Sequence, residues 1–231
     1  MSARYAIYFA PAHGSPWWAF GAHWLGRDER EDTPLVQPSL AQITANELLD
    51  LTARPRRYGF HATLKAPFSL SGGHTSDDVI ARVHTLAAKL NPVLLGPLQA
   101  SCLGDFVALV PAQATDELLA LAGACVIGLD DLRAPLTEAD LARRGIEHLD
   151  ARELALLQAY GYPYVLERFR FHFTLSAPLE PQTAQRVQQA VSAPVAQLNA
   201  WCPLVLDRLC LFVESAPGEP FKRLADVALS A

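Results

Sequence analysis

His61-Ala62-Thr63 and His172-Phe173-Thr174 are two His-x-Thr triplets set in matched surroundings. Laid without a gap on residues 168–179, residues 57–68 also share Arg57/Arg168, Phe60/Phe171, Leu64/Leu175, Ala66/Ala177 and Pro67/Pro178. An unperturbed imidazole titrates near 6.5, so it can take or give a proton around neutrality. A hydroxyl can donate to a phosphate oxygen, and that bond strengthens as charge develops in a transition state. Two of each suit a reaction with one base, one acid and a phosphoryl group between them, such as the opening of a cyclic phosphodiester. A lone His-x-Thr carries little weight, whereas repetition in register carries much more. No metal or cofactor is expected, because no carboxylate cluster is placed for magnesium and no Cys/His cluster has zinc spacing.

Each copy reads as a β-strand, aromatic and branched, stopped by a proline that cannot donate to a ladder. Side chains alternate along a strand. Parity therefore puts Arg57, Gly59, His61, Thr63 and Lys65 on one face and Tyr58, Phe60, Ala62 and Leu64 on the other. In the second copy Arg168, Arg170, His172, Thr174 and Ser176 oppose Phe169, Phe171, Phe173 and Leu175. One face belongs to a core; the other gathers cations, imidazoles and hydroxyls. Arg57, Lys65, Arg168 and Arg170 are thus candidate anion-binding residues. With Arg170 aligned to Gly59 and Lys65 to Ser176, the first-motif side is expected to be roomier. Tyr8, on the opposite parity from Tyr5, Ile7 and Phe9, is a weaker candidate to line the site.

The paired motifs resemble the signature of the 2H phosphoesterase superfamily, which includes 2′,3′-cyclic phosphodiesterases and RNA 2′-5′ ligase-like enzymes. The run Tyr58-Gly-Phe-His-Ala-Thr-Leu-Lys-Ala-Pro-Phe68 is similar to a narrower bacterial family of unknown function found beside phosphonate-utilisation genes. The opening Arg4–Pro11 and Trp24–Asp28 also fit that family. The resemblance implies that His61 and His172 are the acid/base pair and that Thr63 and Thr174 hold the phosphate.

At 231 residues, 51% hydrophobic and 19% charged, the chain can bury a substantial core and is expected to be globular and soluble. A net charge of −5 disfavours a protein built to grip long nucleic acid. Cys102, Cys125, Cys202 and Cys210 form no C-x-x-C pair and read as free thiols of a reducing compartment. The opening residues lack signal-peptide order, and the apolar run Leu118–Leu129 is too short for a bilayer. A cytoplasmic monomer without membrane association is expected.

Along the chain, Arg4–Ala10 predicts a strand, and Ser15-Pro16 starts a short helix packed by Trp17, Trp18 and Trp24. Arg27–Asp32 reads as a solvated charge run. Further helices are predicted over 39–51, 76–90, 115–130, 137–160 and 181–191, the last broken near Pro194. Strands are predicted over 93–102, 105–110, 204–214 and 221–229. Motif strand, helix, strand, strand thus occurs twice. The expected fold is α+β: one two-lobed domain over 1–231 with pseudo-duplicated antiparallel sheets, outer helices and a central cleft carrying both motifs. The first-motif lobe covers about 53–112, a helical insertion 113–165 and the second-motif lobe 166–231.

These features point to a metal-independent cyclic phosphodiesterase acting on a small phosphorylated cyclic substrate, for instance a ribosyl cyclic phosphate of phosphonate breakdown. The same chemistry reversed gives an RNA 2′-5′ ligase-like enzyme, and a cleft kept without turnover gives a nucleotide- or phosphate-binding regulator. Two intact titratable pairs favour catalysis, since binding alone does not require them.

Overall fold

Alternation around Tyr5, Ile7 and Phe9 produces β1 (Arg4–Phe9) in the computed structural model, which describes residues 3–143 and 146–230. Ser15 caps α1 (Pro16–Leu25) by accepting from the Trp18 N–H, with Pro16 in the first turn. Two short strands, β2 (Arg27–Asp28) and β3 (Thr33–Pro34), pair with each other. Next come α2 (Ala45–Leu51), α3 (Ala53–Arg56), the first motif strand β4 (Ala62–Ser69) and α4 (Ser76–Ala87), which Thr75 and Asp78 close with a capping box. β5 (Val93–Leu94), β6 (Leu98–Leu103) and β7 (Phe106–Pro111) precede the helical stretch of α5 (Asp116–Gly128), α6 (Glu138–Arg143) and α7 (Ala151–Tyr160). The second motif strand β8 (Phe173–Thr174) leads into α8 (Pro181–Trp201), β9 (Val205–Leu206), β10 (Arg208–Glu214) and β11 (Lys222–Ala228).

Seven strands form one sheet in the order β11-β10-β1-β4-β8-β7-β6, and every pairing is antiparallel. The α+β class with antiparallel strands and outer helices is therefore what the chain adopts. The motifs do not meet as two sheets facing across a gap: β4 and β8 are neighbours in the middle of the same sheet. The doubled pattern is present, as β4-α4-β6-β7 and β8-α8-β10-β11, but it is interleaved. The hairpin that follows the first motif lies beside β8, and the hairpin that follows the second lies beside β1. Each half of the sheet thus draws on both halves of the chain, unlike the sequential lobes at 53–112 and 166–231. Only long-range pairing decides that order, so local patterning cannot supply it.

One face of the sheet carries the large core. Ile7, Phe9, Phe60, Ala62, Leu64, Phe173 and Leu175 pack there with Val79 and Val83 of α4 and with Val187, Val191 and Val195 of α8. A smaller cluster on the other face holds Ala6, Tyr8, Ala10, Cys210, Phe212 and Phe221. Among the described residues, no helix is long and apolar enough to cross a membrane.

Several predicted boundaries move. α2 starts at Ala45, not 39, because the Thr44 hydroxyl caps it through the Glu47 N–H. α8 continues through Pro194: its apolar stripe Ala184, Val187, Val191 and Val195 is buried on both sides of the proline. Burying that stripe offsets the ~3 kcal/mol that an interior proline costs. The helix predicted over 137–160 is two shorter ones, and its residues 144 and 145 lie outside the described residues. The run Arg27–Asp32 is not solvated throughout. Arg27, Asp28 and Glu29 are buried, with Arg27 donating to the carbonyls of Arg56, Arg57 and Phe221. Cys125 and Cys210 are buried free thiols, as expected, while Cys102 is exposed.

Candidate active site

Ala62 pairs with Phe173 across β4 and β8. That single pair, at the start of both strands, sets the two His-x-Thr triplets side by side in the middle of the sheet. Thr63 and Thr174 flank that pair, and His61 and His172 are close enough for the charge of one to act on the other. Beneath them, on the core face, Phe60 stacks on Phe173 at 4.6 Å between ring centroids and ties the two motifs together. Gly21 of α1 permits that packing, since a Cβ there would meet the Phe60 ring at 1.9 Å. The second motif is pinned further by Trp24 Nε1, which donates to the Leu175 carbonyl at 2.9 Å, and by Ser176 Oγ, which accepts from the Val107 N–H at 3.0 Å.

The two rings are held in the same way. His61 Nδ1 lies 2.9 Å from the Gly59 carbonyl, and His172 Nδ1 lies 2.8 Å from the Arg170 carbonyl. A carbonyl oxygen can only accept, so both Nδ1 atoms carry hydrogen and both Nε2 atoms are left to exchange protons. Thr63 Oγ1 sits 3.3 Å from His61 Nε2. Gly59 makes its bond from a left-handed conformation, φ +76°, where a Cβ would also strike Glu29 Cβ at 2.6 Å. Tyr8, opposite Thr63 on β1, stacks on His61 at 3.8 Å with rings 24° apart. Phe212 and Tyr58 stand 6.2 and 6.1 Å from the same imidazole.

Burial in this aromatic surround pushes His61 down to about 4; its bond to Gly59 works the other way, and the charge of His172 adds to the fall. Burial also lowers His172, against the bond to Arg170. Burial raises Tyr8 well above the ordinary phenol range. Among the described residues, no group of three or more His, Cys, Asp or Glu side chains is placed to hold a metal.

The flanking cations divide. Arg57 ion-pairs with Glu214 and donates to the Glu219 carbonyl at 3.1 Å, and Arg4 holds the other oxygen of the same buried carboxylate. Arg168 pairs with Asp150 at 2.6 Å. Lys65 is 3% exposed and donates to the Val126 carbonyl and to Asp130. These three are engaged in holding the fold together. Parity fails for Lys65 because β4 bulges: Thr63 lies opposite Tyr8, yet Lys65 lies opposite Ile7, a core-face residue. Parity also fails before Ala62, where residues 57–61 form a turn and not a strand. Arg170 is exposed and has no side-chain partner among the described residues. The roomier first-motif side is not found either, since the space left by Gly59 is filled by Glu29. Phe212, Phe221 and Glu29 escaped the sequence reading because they come to the motif from distant strands and loops, with no local pattern of their own.

A family model described as protein of unknown function (DUF1045) matches residues 63–222. The chain is 41% identical over 221 residues to ribose 1,5-bisphosphate phosphokinase PhnN of Janthinobacterium sp. (strain Marseille), covering 94% of this chain and 49% of that protein. It is 36% identical over 219 residues to the protein of the same name from Laribacter hongkongensis (strain HLHK9), covering 95% of this chain and 50% of that one. The chain thus spans about half the length of the curated relatives it matches. Among solved structures, E. coli LigT complexed with 3′-AMP aligns over 100% of both chains at a TM-score of 0.42 and 15% identity, too low to establish a shared fold or activity.

Proposed function

The chain belongs to the family described as protein of unknown function DUF1045, the one its Tyr58–Phe68 run resembles, and we propose that it is a cyclic phosphodiesterase using His61 and His172 as base and acid. One observation supports the reading: the β4–β8 pairing sets the two His-x-Thr triplets side by side, each ring held through Nδ1 with Nε2 left for proton transfer. His61, the more strongly depressed, stays neutral and takes the proton of the attacking water. His172 gives its proton to the leaving sugar oxygen, and an anionic phosphate between the rings favours its charged form. Thr63 and Thr174 donate to the nonbridging oxygens. This scheme requires no metal.

The relatives' name supports a ribosyl substrate. Opening a 5-phosphoribosyl 1,2-cyclic phosphate at the 2-oxygen leaves ribose 1,5-bisphosphate, the compound that the relatives' kinase name specifies. This chain contains no G-x-x-x-x-G-K-[ST] run, and none of Lys65, Lys89 and Lys222 follows a glycine. The phosphokinase activity is therefore assigned to the part of the relatives that this chain does not match.

The test is hydrolysis, with EDTA present, of 2′,3′-cyclic nucleotides, ADP-ribose 1″,2″-cyclic phosphate and 5-phosphoribosyl 1,2-cyclic phosphate. Wild type is expected to prefer the last. His61→Ala and His172→Ala should each lose about 100-fold or more. Tight binding of a panel member without turnover would instead favour a phosphate-binding regulator.

A further inference from the structure

We propose that Arg170 forms a second anion subsite at the His172 end of the site, reading a phosphate or carboxylate that the substrate carries away from the ring being opened. The proposal deepens the cyclic phosphodiesterase reading and rests on it. Arg57, Arg168 and Lys65 are held by Glu214, Asp150 and Asp130. Arg170 makes no ion pair, side-chain hydrogen bond or ring contact among the described residues, and it is exposed. A free surface arginine alone would signify little. This one is anchored, because its own carbonyl accepts the His172 Nδ1–H at 2.8 Å, which fixes its Cα beside the reacting imidazole.

The opposite end of the site sharpens the argument. Gly59 is the counterpart of Arg170 in the repeat, and its carbonyl does the same service for His61. Gly59 offers no side chain, and the space where one would go is filled by Glu29. The Glu29 carboxylate is fully buried and bound by Trp18 and Arg223. The repeat therefore places a packed acid behind one histidine and an unpaired guanidinium beside the other. A substrate with a charge at each end has one favourable orientation, with its outer anion toward His172. The planar fork of arginine suits a phosphate or carboxylate better than an ammonium would.

The experiment measures equilibrium binding of ribose 1,5-bisphosphate and ribose 1-phosphate to wild type, Arg170→Ala and Arg170→Lys. Beside it run the kinetics of 5-phosphoribosyl 1,2-cyclic phosphate and of the same ring lacking the 5-phosphate. Wild type should prefer the bisphosphate by about 10- to 100-fold, the range of a charge-assisted contact. Arg170→Ala should erase that preference while leaving the monophosphate unchanged, and Arg170→Lys should restore part of it. Equal weakening of both ligands, no change, or failure of wild type to bind either would overturn the subsite. Product binding needs no turnover. Absence of hydrolysis by wild type would therefore sink the phosphodiesterase reading, while the binding preference still decides the role of Arg170.

Discussion

At the scale of single residues, the proposed chemistry rests on two imidazoles that are alike in tautomer and unlike in surroundings. Both Nδ1 atoms donate to a carbonyl two residues upstream, an arrangement that the repeated spacing builds automatically. The difference comes from the Tyr8 ring stacked on His61 and from Phe212 and Tyr58 around it. The base must be neutral and the acid protonated, so activity requires a pH above the pKa of one histidine and below that of the other. His61 lies near 4 and His172 is lowered from 6.5, so the window of the free enzyme sits on the acid side of neutrality. The pH profile of kcat/KM should accordingly peak below 6.5 and fall as pH rises through the His172 value. In kcat the alkaline limb should move up, because bound phosphate stabilises the imidazolium. A kcat/KM maximum above neutrality would contradict this account. The two His-x-Thr triplets proposed for catalysis were picked out from residue types and repetition, and Tyr8, singled out by parity, stacks on His61. Arg57, Lys65 and Arg168 misled because the acids that hold them, Glu214, Asp130 and Asp150, lie far from the motifs in sequence.

At the scale of elements, the cap at Ser15 was readable, while the cap at Thr44 and the irregularities were not. Ser15 begins α1 as its type suggests, while Thr44, Thr75 and Thr115 cap α2, α4 and α5 without having been read as caps. The bulge in β4 left no signal, and it sends Lys65 to a carbonyl and an acid near the end of α5. There Lys65 meets the negative end of the helix as well as Asp130, which also pairs with Arg133. Lys65→Met should remove that anchor, leave the Val126 carbonyl without its donor, and lower stability by about 1–3 kcal/mol in urea titration. KM should stay at the wild-type value, since Lys65 does not face the site. A raised KM with unchanged stability would return Lys65 to the anion-binding set.

At the scale of the whole molecule, the duplication was visible as a doubled pattern of strand, helix and hairpin, while its interleaving was not. Which strand lies beside which depends on closing loops as long as the separation of His61 from His172, and no local propensity encodes that choice. The exchange of hairpins has a consequence for a chain divided in two. Cut between Pro135 and Leu136, the amino-terminal piece keeps β1-β4 and β6-β7 but lacks β8, which joins them. The carboxyl-terminal piece keeps β8 and β10-β11 but lacks the strands that lie between them. Each fragment is the missing scaffold of the other, and each holds one His-x-Thr. Expressed separately they should be largely unfolded by circular dichroism and inert; mixed, they should fold together and recover turnover. Two histidines brought together only by mutual templating would make hydrolysis a direct reporter of reassembly.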